Sequence, residues 1–303
     1  MKYSAESLRE GFVTANGLNF HYYATGPQNG PLVLFAHGFP DLAVGWAHQM
    51  RELAAQGFLC VAPDQRGYNL SDKPDALSAY YPKHMVTDLR EIAASFGGEG
   101  TPFTLVAHDW GGAIAWAFAL KYPDLLEKLI IINATHPGAF QKCLANNPDQ
   151  VEKSQYINLY RTDDAEDVVS ANNYAGLLQM FGESFENGTL TEADKAALIT
   201  AWSKPGALTA MLNWYRTMRI EPPDAQKGGG QTEGTFDDEA LKVHVPTRVI
   251  WGMGDQAFAS DLIDYFPPYV PDLEITRVED GTHWVVHEYP ELVAAALKRW
   301  LAE

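Results

Sequence analysis

One carboxylate, Asp109, stands where an apolar run gives way to small residues. The stretch Leu105-Val106-Ala107-His108-Asp109-Trp110-Gly111-Gly112 leads into the alanine-rich apolar segment Ala113 to Leu120. That is the pattern of a buried strand, a very tight turn and a helix, with one reactive residue at the apex of the turn, a nucleophile elbow. The apex backbone is strained and the strand and helix run close together, so the flanking positions must be small. Ala107 and Gly111 meet that demand, with Ala107 in place of the usual glycine. A serine at the apex attacks acyl carbons. An aspartate attacks a saturated electrophilic carbon instead, such as an epoxide or a carbon–halogen centre, and the alkyl ester it forms must be hydrolysed by an activated water. The plainer alternative is that Asp109 only caps the helix that follows it.

A nucleophilic aspartate needs an oxyanion hole, a base for water and a group that orients the base. After the apolar run Leu32 to Ala36 comes His37-Gly38-Phe39-Pro40, where Gly38 is expected to let the chain turn so that the Phe39 amide points at Asp109. The amide of Trp110 is the expected second donor. Near the carboxyl terminus, Glu279-Asp280-Gly281-Thr282-His283-Trp284 forms a loop in which His283 is the expected base. Val249-Ile250-Trp251-Gly252-Met253-Gly254-Asp255 reads as strand, turn and carboxylate, so Asp255 is the expected orienter of the imidazole, unless it is simply a turn residue. The chain order is then nucleophile, acid, histidine. His37, His108, His136, His244 and His287 are candidates by type alone. Asp64 and Arg66 precede the nucleophile and read as structural. No HExxH spacing or other ligand cluster calls for a metal, and no cofactor is expected.

The elements that must position these groups alternate along the chain. Short β-rich runs at Phe20–Ala24, Leu32–Ala36, Phe58–Ala62, Phe103–Ala107, Leu129–Ile132, Thr247–Trp251 and Ile275–Val278 are separated by helical segments such as His48–Gln56, Val86–Phe96 and Ala113–Tyr122, with a last helix at Pro290–Leu301. This predicts an α/β protein with a mostly parallel sheet covered by helices on both faces and an active site beyond the carboxyl ends of the strands. From 137 to 240 the pattern turns polar and helical, and the glycine-rich stretch Gly228 to Gly234 reads as a mobile return loop. The expected organisation is a core of residues 1–136 and 241–303 with a helical cap, 137–240, roofing a pocket over Asp109.

The 303 residues suffice for one large core. With 39 acidic against 22 basic residues, a net charge of −17, neither nucleic acid nor an anionic membrane is an expected partner. Two cysteines, Cys60 and Cys143, form no disulfide framework, and with no signal-peptide pattern the expectation is a soluble, cytoplasmic monomer or homodimer.

Taken together, His37-Gly38-Phe39-Pro40, Asp64-x-Arg66-Gly67-Tyr68, His108-Asp109-Trp110-Gly111-Gly112, Asp255 and His283 resemble the epoxide hydrolases of the α/β-hydrolase fold, over nearly the full chain. The resemblance implies a small-molecule epoxide and water as reactants and two cap tyrosines that hydrogen-bond and protonate the epoxide oxygen. Leu212-Asn213-Trp214-Tyr215-Arg216 is similar to the family's NWYR motif and implies Tyr215 as one of them. Ser154 to Arg161 resembles the segment bearing the other, with Tyr156 the better alignment and Tyr160 the alternative, because Tyr160-Arg161 stands where the family often has Phe-Gln. His37, Phe39, Trp110 and Trp214 are the expected pocket walls. Haloalkane and haloacetate dehalogenases share the aspartate, but they commonly carry an asparagine where this chain has Phe39, or arginines where it has Trp110 and Ala113. A dehalogenase, or a non-catalytic homologue that binds a ligand beneath its cap, remain the alternatives.

Overall fold

Seven of the apolar runs become strands of one eight-stranded sheet in the computed structural model, which describes residues 2–224 and 238–303. The strands are β1 (Arg9–Ala15), β2 (Leu18–Thr25), β3 (Leu32–Ala36), β4 (Leu59–Pro63), β5 (Phe103–His108), β6 (Leu126–Ile132), β7 (Thr247–Gly252) and β8 (Leu273–Val278), in the order β1-β2-β4-β3-β5-β6-β7-β8. β2 pairs antiparallel with β1 and β4, and every other pairing is parallel. The chain thus has the α/β, mostly parallel architecture expected of it. β1 is absent from the sequence reading because it is an edge strand with exposed Arg9, Glu10 and Phe12, and such a strand carries no buried-face pattern to detect.

The helices are α1 (Ala47–Ala54), α2 (Pro82–Gly97), α3 (Asp109–Lys121), α4 (Pro137–Asn146), α5 (Pro148–Lys153), α6 (Gln155–Leu159), α7 (Ala165–Gln179), α8 (Glu192–Trp202), α9 (Ala207–Arg216), α10 (Val285–Glu288) and α11 (Pro290–Leu301). Proline opens α2, α4, α5 and α11, where its missing N–H has no intrahelical partner to lose. α1 packs with α11 and α2 with α3. Every residue of β3, β4 and β5 is buried, so both faces of the central sheet are covered. α3 is apolar on all sides because it lies inside this layer rather than on its surface.

α4 to α9 all lie between β6 and β7. The stretch Gly228 to Gly234, read from the sequence as a mobile return loop, lies outside the described residues. α7 is broken in its middle, where Asn172, Asn173 and Tyr174 adopt φ of +50°, +56° and +63°. Asparagine tolerates the left-handed region; Tyr174 is held there with its ring against Trp202, 5.8 Å between centroids. No described helix is long and apolar enough to cross a membrane.

Asp64 and Arg66 serve the framework. Arg66 forms a two-pronged pair with Asp88 of α2 at 2.6 and 2.7 Å, both side chains buried, and also donates to the Ala79 carbonyl. Asp64 accepts from His21, Asn69 and the Ala43 amide. Removing one partner of a buried pair leaves the other charge uncompensated. Asp88→Ala is therefore expected to destabilise the fold by about 3–5 kcal/mol, as measured by urea unfolding.

Candidate active site

Three loops beyond the carboxyl ends of neighbouring parallel strands meet at one point, as open α/β sheets dictate. Asp109 sits at the junction of β5 and α3 with φ +50°, a left-handed conformation that costs a non-glycine residue about 1–2 kcal/mol and turns its side chain out of the sheet. Its Oδ1 accepts the Phe39 amide N–H at 2.6 Å. Gly38 makes that approach possible through space rather than through a turn: a Cβ there would lie 2.3 Å from the Asp109 Cβ, while the Gly38 backbone stays outside the left-handed region. Gly111 answers the same demand on the helix side, where a Cβ would lie 2.3 Å from the Ala36 carbonyl oxygen. Ala107 is accommodated between Ala36 and Ile131 in the register of the sheet.

His283, in the loop after β8, directs Nε2 to Asp109 Oδ2 at 3.5 Å and Nδ1 to Asp255 Oδ2 at 2.8 Å. Burial works against its charged form, but the charge of Asp255 and the hydrogen bonds and charge of Asp109 outweigh it and raise the imidazole to about 10. Burial likewise opposes the Asp109 carboxylate, yet the hydrogen bond and charge of His283, with the Phe39 amide, bring it below the usual range. The resting site is an imidazolium between two carboxylates. His108 beside it is pushed down to about 4 by burial and by the His283 charge, so it stays neutral and bonds the His283 carbonyl at 2.9 Å.

Asp255 is fully engaged. Its Oδ1 accepts the Ala257 and Phe258 amides at 2.7 and 3.1 Å, and its Oδ2 accepts Asn133 Nδ2 at 2.7 Å besides His283. Asn133 and His108 were not singled out for these duties in the sequence. Asn133 lies at the end of β6 with φ +38° and locks itself to β7 by accepting the Gly252 amide at 2.9 Å. The available signal was an asparagine immediately after an apolar strand, the position at which Asp109 and Asp255 also stand or nearly stand.

Two adjoining pockets, of about 610 and 380 Å³, open over Asp109. Asp109, Tyr156 and Tyr215 border both; Tyr160, Met180, Gln256, Ala257, His283 and Trp284 complete the larger, and Trp110, Ala113, Thr135, Phe140, Ile157, Met218 and Phe258 the smaller. Tyr156 and Tyr215 face each other with ring centroids 6.0 Å apart, and burial raises both phenols well above their ordinary value. Neither hydroxyl bonds any described residue. Tyr160, by contrast, donates its hydroxyl to Met180 Sδ at 3.2 Å. Tyr156 and Tyr160, the alternatives the sequence leaves open, thus both border the larger pocket and differ in the partner of the hydroxyl.

The other residues expected in the wall divide. Trp110 lines the smaller pocket. Phe39 lies one layer behind, its ring against Tyr160 and Tyr215. His37 and Trp214 border neither pocket. His37 is buried, with Nε2 accepting the Gln65 amide and Nδ1 bonded to the Gly38 carbonyl, and Trp214 donates to the Arg66 carbonyl at 3.0 Å behind Trp110. Both are aromatic residues in a motif whose polar atoms are consumed by the backbone, which sequence alone does not reveal. Among the described residues no group of three or more His, Cys, Asp or Glu side chains is arranged to hold a metal ion.

Comparison with known proteins agrees with this geometry. The profile described as alpha/beta hydrolase fold matches residues 31–290. Mouse epoxide hydrolase 4 is 31% identical, the match covering 95% of this chain and 77% of that protein. The chain belongs to the epoxide hydrolase family of the α/β-hydrolase fold. The AB hydrolase superfamily protein YfhM of Bacillus subtilis is 35% identical over 96% of both chains. A crystal structure of the Bacillus megaterium epoxide hydrolase in complex with an inhibitor superposes with a TM-score of 0.84 at 32% identity, covering 97% of this chain and 100% of that one.

The imidazolium has a consequence that pH reveals in this family member. The folded state binds a proton at His283 up to about pH 10, whereas an unfolded histidine loses it near pH 6.5. Stability from this pairing is complete below about pH 6.5 and declines as pH rises towards 10. Urea unfolding at pH 7 and pH 9.5 is expected to show a loss of about 1 kcal/mol or more in the wild type that is absent from His283→Gln.

Proposed function

We propose that this protein opens epoxides to vicinal diols through a covalent Asp109 ester, with residues 137–240 forming a cap over the site. The observation that carries the reading is the pair of unpartnered phenols, Tyr156 and Tyr215, that border the same space as the Asp109 carboxylate. Opening an epoxide near neutral pH releases an alkoxide, a poor leaving group that needs an acid at hand. A halide needs only weak donors, and among the described residues no lysine or arginine lines either pocket to hold the carboxylate of a haloacid.

In this scheme Asp109 Oδ2 attacks one ring carbon, the carbon–oxygen bond breaks, and the alkoxide takes a proton from one of the two phenols. Esterification removes the charge of Asp109 and with it part of what holds the proton on His283. The imidazolium then gives up a proton, which replaces the one the phenol donated. Neutral His283, kept in register by Asp255, next takes a proton from water as the oxygen attacks the ester carbonyl. The oxyanion rests on the amides of Phe39 and Trp110, the former already bound to Oδ1. Collapse releases the diol and returns the carboxylate beside a protonated His283, so atoms and protons balance. The free, buried thiols Cys60 and Cys143 suit a reducing compartment, and we place the protein in the cytoplasm.

The decisive experiment is a single turnover of His283→Gln with styrene oxide, followed by intact-protein mass spectrometry. An adduct of the full epoxide mass on Asp109 is expected; folded protein without one refutes the scheme, and an alkyl adduct from a bromoalkane with halide lost moves the assignment to dehalogenase. Tyr156→Phe and Tyr215→Phe are each expected to slow ester formation on the order of a hundredfold, with little effect on ester hydrolysis in a stopped-flow trace.

A further inference from the structure

α6 and the two residues that follow it present two faces. Tyr156 and Tyr160, four apart, point into the larger pocket. Gln155, Asn158 and Arg161, three apart, form the other face, and each donates to main-chain carbonyls of α9 or of the segment 217–223 that follows it. Gln155 Nε2 reaches Pro223 O at 2.9 Å, Asn158 Nδ2 reaches Pro222 O at 3.4 Å, and Arg161 Nη1 reaches Met218 O at 3.0 Å and Tyr215 O at 3.4 Å. Arg161 also pairs with Glu221. Arg216 returns the contact: it donates to the Thr162 carbonyl at 3.2 Å and is held by Glu166 of α7 at 2.6 and 2.8 Å. The two arginines cross, each standing directly after a pocket tyrosine and gripping backbone beside the other.

We infer that this reciprocal clamp of Arg161 and Arg216 sets the separation of the Tyr156 and Tyr215 phenols, and so tunes the acid assistance to ring opening; the inference rests on the functional reading above. Three physical facts converge on it. A five-residue helix such as α6 is too short to hold its own orientation and takes it from outside bonds. The carboxyl end of α9 is the negative end of its dipole, which the guanidinium of Arg161 complements while it donates to Met218 O beyond the helix and adds a second bond to Tyr215 O, which also accepts the Met218 amide. The phenol hydroxyls bond no described residue, so ring packing and backbone placement fix where they stand. Both arginines are positioning residues, since neither lines either pocket.

The clamp touches the phenols' segments and not Phe39, Asp255 or His283, so it should act on one half-reaction. Stopped-flow tryptophan fluorescence with styrene oxide under single-turnover conditions reads ester formation and ester hydrolysis as separate rate constants. Arg161→Met is expected to lower the first about tenfold and leave the second within about twofold, because small displacements of a catalytic group are costly. Arg161→Lys, which can still donate to Met218 O, should recover part of the loss. Partial unfolding reduces amplitudes and not the rate constants of the folded fraction, so a weakly folding variant still answers. The double variant Gln155→Met/Asn158→Leu provides a second reading with both arginines intact and should also slow ester formation selectively. Rate constants that fall together, or an unchanged ester-formation rate, overturn the clamp while leaving the epoxide reading in place. If the wild type forms no ester at all, the functional reading fails and this inference fails with it.

Discussion

Everything at the site depends on how closely the carboxyl ends of β3 and β5 approach. The Phe39 amide holds one oxygen of Asp109 at 2.6 Å, a charge-assisted bond that fixes the carboxylate before any substrate arrives. To allow it, Gly38 must lack a side chain, Gly111 must let α3 close on Ala36, and Asp109 must accept a left-handed backbone. These are costs, and the surrounding parallel strands, buried on both faces, hold the geometry against them. The strain sits on the one residue whose side chain has to project away from the sheet.

The second organising feature is electrostatic. A buried imidazolium flanked by two carboxylates is stable only while both remain charged, so the same contacts that stabilise the resting site are altered by the reaction itself. Asp255 is saturated by two amides, Asn133 and His283. Neutral His108 supports the His283 loop through a carbonyl without adding charge. The two carboxylates thus differ by hydrogen-bond count and not by residue type, Asp109 holding the Phe39 amide and His283 while Asp255 holds four partners.

The core was legible because it rests on periodicity and order. β3, β4, β5 and β7 are apolar runs that lead into glycine-bearing turns, and Asp109, Asp255 and His283 each follow a strand in sequence, so their convergence followed from parallel topology. What escaped has physical reasons. β1 is an exposed edge, Asn133 and His108 act through contacts between segments distant in the chain, and the ring nitrogens of His37 and Trp214 are taken up by backbone carbonyls and amides that no local pattern predicts. Tyr156 and Tyr160 differ in where the hydroxyl points, since that of Tyr160 reaches Met180 twenty residues away, a contact no local pattern predicts.

The helices α4 to α9 leave the sheet after β6 and return at β7, and these two strands are hydrogen-bonded neighbours, with Ile132 opposite Ile250. The two ends of the insertion are therefore held at fixed points, the exit at the carboxyl end of β6 and the return at the amino end of β7, whatever lies between them. The entropy of closing such a loop grows only with the logarithm of its length, about 0.6 kcal/mol for each doubling. Natural variation can therefore lengthen, shorten or exchange this segment, and with it the shape of the space above Asp109, while the sheet register and the three strand-end residues stay as they are. The strand-end carboxylates and histidine are in this way heritable separately from the segment that brings Tyr156 and Tyr215 over them.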